Sequence, residues 1–209
     1  MTTKKSGRIA SALVAFLVVA TAVATSAATI TLEPPSGTTT NVLALYTGAT
    51  SVEIAGPGTV SLNPANTYTG GTTLSGGTLA YSGTPRDGAS PLGTGALNIT
   101  GGTISGSGTI ANDIATTVAT SFSPDGTIVL SGNNVFSALT DVTQNTLEIA
   151  GGETSFGSGL YMSYSAAGMA HFRQSGGSVQ MAGGNVQLGY YKGATTSFTI
   201  TRGLFDVNG

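Results

Sequence analysis

The stretch from Gly58 to Leu79, GTVSLNPANTYTGGTTLSGGTL, recurs without a gap 68 positions later as Gly126 to Leu147, GTIVLSGNNVFSALTDVTQNTL. Gly58, Thr59, Leu62, Asn66, Thr72, Thr78 and Leu79 return as Gly126, Thr127, Leu130, Asn134, Thr140, Thr146 and Leu147. Val60, Tyr68 and Leu74 return as Ile128, Phe136 and Val142. Within the first copy, Thr59-Val60-Ser61-Leu62 and Thr78-Leu79-Ala80-Tyr81 alternate around an Asn/Pro/Gly-rich segment, which reads as strand, turn, strand. A unit of short strands and turns cannot bury its apolar side alone, so it has to stack on further copies of itself.

Glycine doublets followed by strand-like runs extend the pattern. They stand at Gly76-Gly77, Gly101-Gly102, Gly151-Gly152 and Gly176-Gly177, spaced 25, 50 and 25 positions apart, with Asp125-Gly126-Thr127-Ile128 at the vacant middle position. The sequels Thr78-Leu79, Thr103-Ile104, Thr127-Ile128 and Ser178-Val179 share one pattern, and Phe172 to Gly177 is echoed 26 positions later by Phe198 to Gly203. A coil of about 25 residues with glycine at its corners, where positive φ is cheap, predicts an all-β, right-handed parallel β-helix. At that coil length the mature chain makes about seven coils, or roughly 35 Å of rod at a strand spacing of about 4.8 Å. The 68-position offset fits three coils of about 22 or 23 positions better than three of 25, so coil length is expected to vary. Leu97 and Ile99, Leu147 and Ile149, Val186 and Leu188, and Phe198 and Ile200 are expected to face inward. Asn98, Glu148, Gln187 and Thr199 are expected to face outward. An antiparallel β-sandwich is the alternative, but its turns have no reason to repeat in register.

Composition agrees with exposed, hydroxyl-rich sheets. Only 8% of the 209 residues are charged, 32 are Gly, and 40% are hydrophobic, too many for a disordered chain. No Cys is present, which excludes disulfides and thiolate metal sites. Met1 to Arg8 carries three positive charges, Ile9 to Ala24 is apolar apart from Ser11 and Thr21, and Thr25-Ser26-Ala27-Ala28 is small. This is the layout of a secretory signal peptide cleaved after Ala27 or Ala28, which engages the general export machinery. The 16-residue apolar run is shorter than the roughly 20 a membrane-spanning helix needs. Loss of Lys4, Lys5 and Arg8 would take the formal charge from −2 to −5, and with no basic patch the chain is not expected to bind nucleic acid. The predicted organisation is a signal peptide over 1–28, an N-terminal cap region over 29–57 and a β-helical repeat region over 58–209 that continues in a longer protein.

Leu62 to Leu79, LNPANTYTGGTTLSGGTL, with Pro91-Leu92-Gly93-Thr94-Gly95-Ala96-Leu97 and Gly101-Gly102-Thr103-Ile104, resembles the autotransporter-associated β-strand repeat. The match is close from Ala65 to Thr73, while the copy from Leu130 to Ile149 is degenerate, Ala138-Leu139 replacing the glycine doublet. The resemblance implies a β-helical passenger region exported to the surface of a Gram-negative-type bacterium, in proteins that are often large adhesins. It implies no catalytic residue set.

No constellation of the chain announces chemistry. Five Asp and four Glu are spread thinly, and Thr84-Pro85-Arg86-Asp87-Gly88 reads as a solvated turn. Glu148 and Glu153, flanking Gly151-Gly152, are placed to share a face. His171 is the single histidine, so a multi-histidine metal site is excluded. Catalytic, cofactor and metal residues are therefore expected to be none. Tyr161, Tyr164, Tyr190 and Tyr191 are the candidate ligand row, able to stack on the sugar rings of extracellular glycans; the competing reading is an aromatic ladder packing coil on coil. The expected function is a non-enzymatic structural or adhesive surface module. A carbohydrate-binding protein and a polysaccharide-degrading enzyme are the alternatives.

Overall fold

The computed structural model describes residues 27–62, 65–83, 90–163, 168–189 and 192–207. The predicted signal peptide up to Ser26 lies outside them. The twenty strands among the described residues are short, and every pairing between them is parallel. They form two sheets wound by one chain, a parallel β-helix.

The first sheet has nine strands, stacked in chain order. They are Thr29–Leu32, Ser51–Ile54, Thr72–Leu74, Leu97–Ile99, Ile114–Thr116, Asn134–Phe136, Glu153–Phe156, Ser178–Met181 and Leu204–Asp206. The second sheet has eleven strands and forks. It rises through Thr39–Val42, Thr59–Leu62, Thr78–Gly83 and Thr103–Ile110 to Thr120–Leu130. The front half of that last strand pairs with Leu139–Val142, and its rear half pairs with Asn145–Ile149. One limb continues through Gly159–Met162 and Asn185–Leu188, the other through Met169–Gln174 and Thr195–Ile200.

The fork marks where the third wall of the solenoid becomes a strand. Thr103–Ile110 turns within itself, Gly106 and Gly108 both having positive φ. In the next strand the pairing slips between Pro124 and Ile128. In the earlier turns a loop closes this side and fills it with the buried side chains of Tyr46, Tyr68 and Leu92. Residues 29–57 already contribute strands to both sheets, in register with the strands of the next turn.

Each of the two 22-residue copies closes one complete turn. The strand that opens it pairs with the strand that ends it: Thr59 with Thr78 and Val60 with Leu79 in the first, Thr127 with Thr146 and Ile128 with Leu147 in the second. The copies start on different walls, Thr59 on the first limb of the second sheet and Thr127 on the other. The 68-position offset therefore equals three turns plus one wall. Turn length varies from 17 positions, Leu97 to Ile114, through 20, Val52 to Thr72, to 26, Val179 to Phe205. Nine strands in the first sheet mark eight steps, or roughly 40 Å at about 4.8 Å each, where a uniform 25-residue coil predicts seven.

Inward columns make the core. Leu97, Ile99, Leu147 and Ile149 are buried as the alternation predicts, while Asn98 is exposed. Leu188 and Ile200, expected inward, are 48% and 45% exposed because they lie in the last described turn with no described rung above them. A ladder of phenylalanines runs through the core. Phe136 stacks on Phe156 at 5.1 Å and Phe172 on Phe198 at 4.8 Å, with edge contacts from Phe122 and Phe205. Each such pair adds about 1 kcal/mol beyond the burial of its area.

The corners need glycine for a steric reason. Gly77 and Gly152, each the second of a doublet, have φ of 66° and 64°, and a Cβ would stand 2.1 Å from Gly56 O and 2.2 Å from Gly132 O. The doublets mark two corners. Gly76-Gly77 and Gly101-Gly102 precede strands of the second sheet one turn apart, and Gly151-Gly152 and Gly176-Gly177 precede strands of the first sheet one turn apart, so each spacing of 25 is a turn while the spacing of 50 runs from one corner to another.

Corners and core each give an expected outcome. Gly77→Ala should lower the unfolding free energy by about 3 kcal/mol, since it adds a clash with the neighbouring turn to the backbone strain. Gly37→Ala should cost only about 1 kcal/mol, because φ is similar at 73° but nothing lies within 4 Å; urea titration of both variants checks the difference. Burial holds the Tyr68 and Tyr81 hydroxyls well above the ordinary tyrosine value of 10.0. The folded state thus retains these protons more tightly than the unfolded chain. Thermal stability should stay level from neutral pH to about pH 10 and then fall as the pH rises further, as circular dichroism melts would record.

Candidate binding face

Of the four tyrosines read as a ligand row, Tyr161 is described, and Tyr164, Tyr190 and Tyr191 lie outside the described residues. Tyr161 stands on the outer side of Gly159–Met162, level with Asp141 in the turn before and Gln187 in the turn after. Its hydroxyl donates to Asn185 Oδ1 at 3.2 Å. Below it the same outer row is a ladder of hydroxyls: Thr39, Thr59, Thr78, Thr103 and Ser121 are partners in sequence. Such a row suits a solvated sheet face.

The structure separates the carboxylates that the glycine doublet brings close in sequence. Glu148 faces outward on the forked limb of the second sheet, where Arg173 lies 3.5 Å away and the Ser175 hydroxyl donates to it. Glu153 belongs to the first sheet. The corner between them turns the chain from one wall to the next, so they share no face. His171 lies in the row beside Glu148, its Nδ1 2.7 Å from Ser197 Oγ. Asp87 lies outside the described residues. Among the described residues no group of three or more His, Cys, Asp or Glu is placed to hold a metal ion.

Among the described residues a concave surface with polar lining forms on the outer side of the first sheet. It is a groove of about 380 Å³ running along the axis of the solenoid across the last four described turns. Small side chains make its floor, with Val135 level with Ser155. Gln180 and Asp206 continue that column upward. Asn133, Glu153 and Ser178 form a second column two positions earlier in each strand. This second column is also stapled. Asn133 N–H donates to Asp113 Oδ1 at 2.8 Å and Glu153 N–H to Asn133 Oδ1 at 3.0 Å, so each side chain holds the backbone of the turn above.

Glu153 and Asp206 are the two carboxylates of the groove. Two rungs and two strand positions separate them, about 12 Å between Cα positions at sheet spacings. The arrangement offers acceptors from the carboxylates, donors and acceptors from the amides and hydroxyls, and, among the described residues, no Lys or Arg. It is suited to holding a polar ligand. The groove is invisible to local sequence reading because its residues come from strands 20 to 26 positions apart; outward polar positions at turn spacing are the signal that could have found it.

Two stretches of the chain, residues 55–80 and 125–149, match the family model of the passenger-associated-transport-repeat. The chain carries that transport repeat. Neither the curated proteins nor the solved structures give a match. Each matched stretch contains the single closed turn described above, so one copy of the transport repeat is one rung. Its Asn66 is wholly buried and links three successive turns: Oδ1 accepts from Tyr46 N–H at 2.9 Å, and Nδ2 donates to Pro91 O at 3.0 Å. Tyr68 is likewise buried, its hydroxyl bonded to that of Thr72. In the second copy Asn134 takes the matching place in sequence, and its Nδ2 donates to Thr154 Oγ1 of the next turn at 2.9 Å.

Asn66 and Asn134, which lie in the two matched stretches, are therefore inter-turn ties. Asn66→Ala would strand a buried N–H and a buried carbonyl, which should cost about 2 to 4 kcal/mol. Asn98→Ala, on an exposed outward position, should stay within about 0.5 kcal/mol of the parent; chemical denaturation of both variants provides the comparison.

Proposed function

We propose that this chain is an exported, non-enzymatic passenger-type module that forms a β-helical stalk at the surface of a Gram-negative-type bacterium and contributes to adhesion. The observation that carries the reading is the transport repeat with its one-copy, one-turn geometry. In such a module copy number sets how far a distal surface projects, and sequence between the corners is free to change. The signal-like residues 1–28 support export through the general secretory machinery. The thinly spread carboxylates support scaffolding over catalysis, and the partners that suit an adhesive stalk are extracellular glycans or other cell-surface molecules. No cofactor is required.

The natural gene, expressed in a Gram-negative host with an epitope inserted after the exposed Gly37, tests this. Proteinase K added to intact cells should remove the epitope, and deletion of residues 2–28 should protect it by leaving the protein in the cytoplasm. An epitope that resists protease on intact cells while cleaved in lysates would overturn the surface assignment. Release of reducing or unsaturated ends from a polysaccharide panel by the purified chain would overturn the non-enzymatic one.

A further inference from the structure

We infer that the groove on the outer side of the first sheet binds an extended, neutral glycan, laid along the axis of the solenoid with about one sugar per rung. Three features of the groove select that class. Its repeat is the strand spacing of about 4.8 Å, close to the advance of one pyranose in an extended chain, so equivalent hydroxyls of successive sugars meet equivalent outward positions. Its polar groups alternate acceptor and amide: Glu153 and Asp206 accept, while Gln180 donates and accepts. That inventory suits vicinal hydroxyls. Val135 and Leu204 are 52% and 62% exposed on the two columns, offering apolar surface to the carbon-bound hydrogens of a sugar ring.

Charge decides between glycans. Among the described residues two carboxylates and no Lys or Arg line the groove, so a uronic acid or sulfated chain would bring like charge towards Glu153 and Asp206. A neutral chain meets no such penalty. The four rungs from Val135 to Asp206 span about 14 Å, room for three to four sugars, and the volume falls in the range of ordinary small-ligand sites. The rung-to-rung staples from Asp113 to Asn133 and from Asn133 to Glu153 hold the second column rigid before any ligand arrives, which reduces the ordering cost of binding. The inference names a ligand for the adhesive reading above and rests on it only for where the glycan is met; the binding itself belongs to the purified chain.

The test is isothermal titration of the purified chain with neutral hexasaccharides, cellohexaose and mannohexaose, beside hexagalacturonic acid. A neutral hexasaccharide should bind, and the acidic one should bind at least tenfold more weakly. Ser155→Trp, which fills the floor of the groove from an outward position, should abolish binding. Gln180→Ala should weaken it about tenfold, the worth of a well-made hydrogen bond in affinity. Asn98→Trp, on the same outer row two turns below Val135, should bind like the parent. Circular dichroism melts confirm that each variant folds. Absence of binding by both neutral chains, preference for the acid, or binding that survives Ser155→Trp would each overturn the proposal. None of these results touches the protease experiment on intact cells, so the glycan inference and the surface reading fail separately.

Discussion

The parallel hydrogen-bonded ladder between one turn and the next is the interaction on which the rest of this structure depends. Among the described residues no strand pairs with another strand of its own turn, because the partner of every strand lies a full turn away. Thr59 finds Thr78, Thr127 finds Thr146, and Leu97 finds Ile114. An unpaired buried N–H or carbonyl costs on the order of a kcal/mol or more, so rungs hold only by stacking. Side chains repeat the arrangement. Asn66 ties the turns of Tyr46 and Pro91 together, and the Asp113, Asn133 and Glu153 staples do so at another corner.

That ladder explains why turn length is loosely controlled while register is not. A strand slipped by one residue would exchange the buried and solvated faces, and the columns Leu32-Ile54-Leu74-Ile99 and Leu79-Ile104-Phe122 forbid it. Extra residues between strands cost little, since loop entropy grows slowly with length. The shortest and the longest turns thus share one stack. Glycine does the complementary work at corners: at Gly77 and Gly152 neighbouring carbonyls leave no room for a Cβ, so the chain turns inside the gap of about 4.8 Å between rungs.

A stack of this kind separates its two surfaces cleanly. The inside is committed to packing, from Tyr46 and Tyr68 at one end to the phenylalanine ladder at the other. The outside carries rows of side chains at regular spacing, and these rows can change without disturbing the ladder. Over most of the length they are hydroxyls and small residues. On the outer side of the first sheet, longer polar groups at Glu153, Gln180 and Asp206 rise around a floor of Val135 and Ser155 and make the row concave. Scaffold and outer face are consequently drawn from alternate positions of the same strands.

Legibility in the sequence followed distance along the chain. The β class, the inward facing of Leu97, Ile99, Leu147 and Ile149, the glycine corners and the transport repeat were all readable, because alternation, positive-φ turns and a 22-residue unit are local patterns. Doublets 25 positions apart do mark single turns, but the 50-position interval and the 68-position offset do not count whole turns, since a doublet serves more than one corner and the copies at Gly58 and Gly126 begin on different walls. An aromatic ladder of phenylalanines gathers from three walls, which no spacing rule brings together. The parting of Glu148 from Glu153 and the gathering of Glu153, Gln180 and Asp206 have the same cause. The sequence by itself determined that this chain would coil, bury alternate residues and turn on glycine; only the tertiary structure decided which outward residues became neighbours, because that depends on the accumulated length of every turn between them.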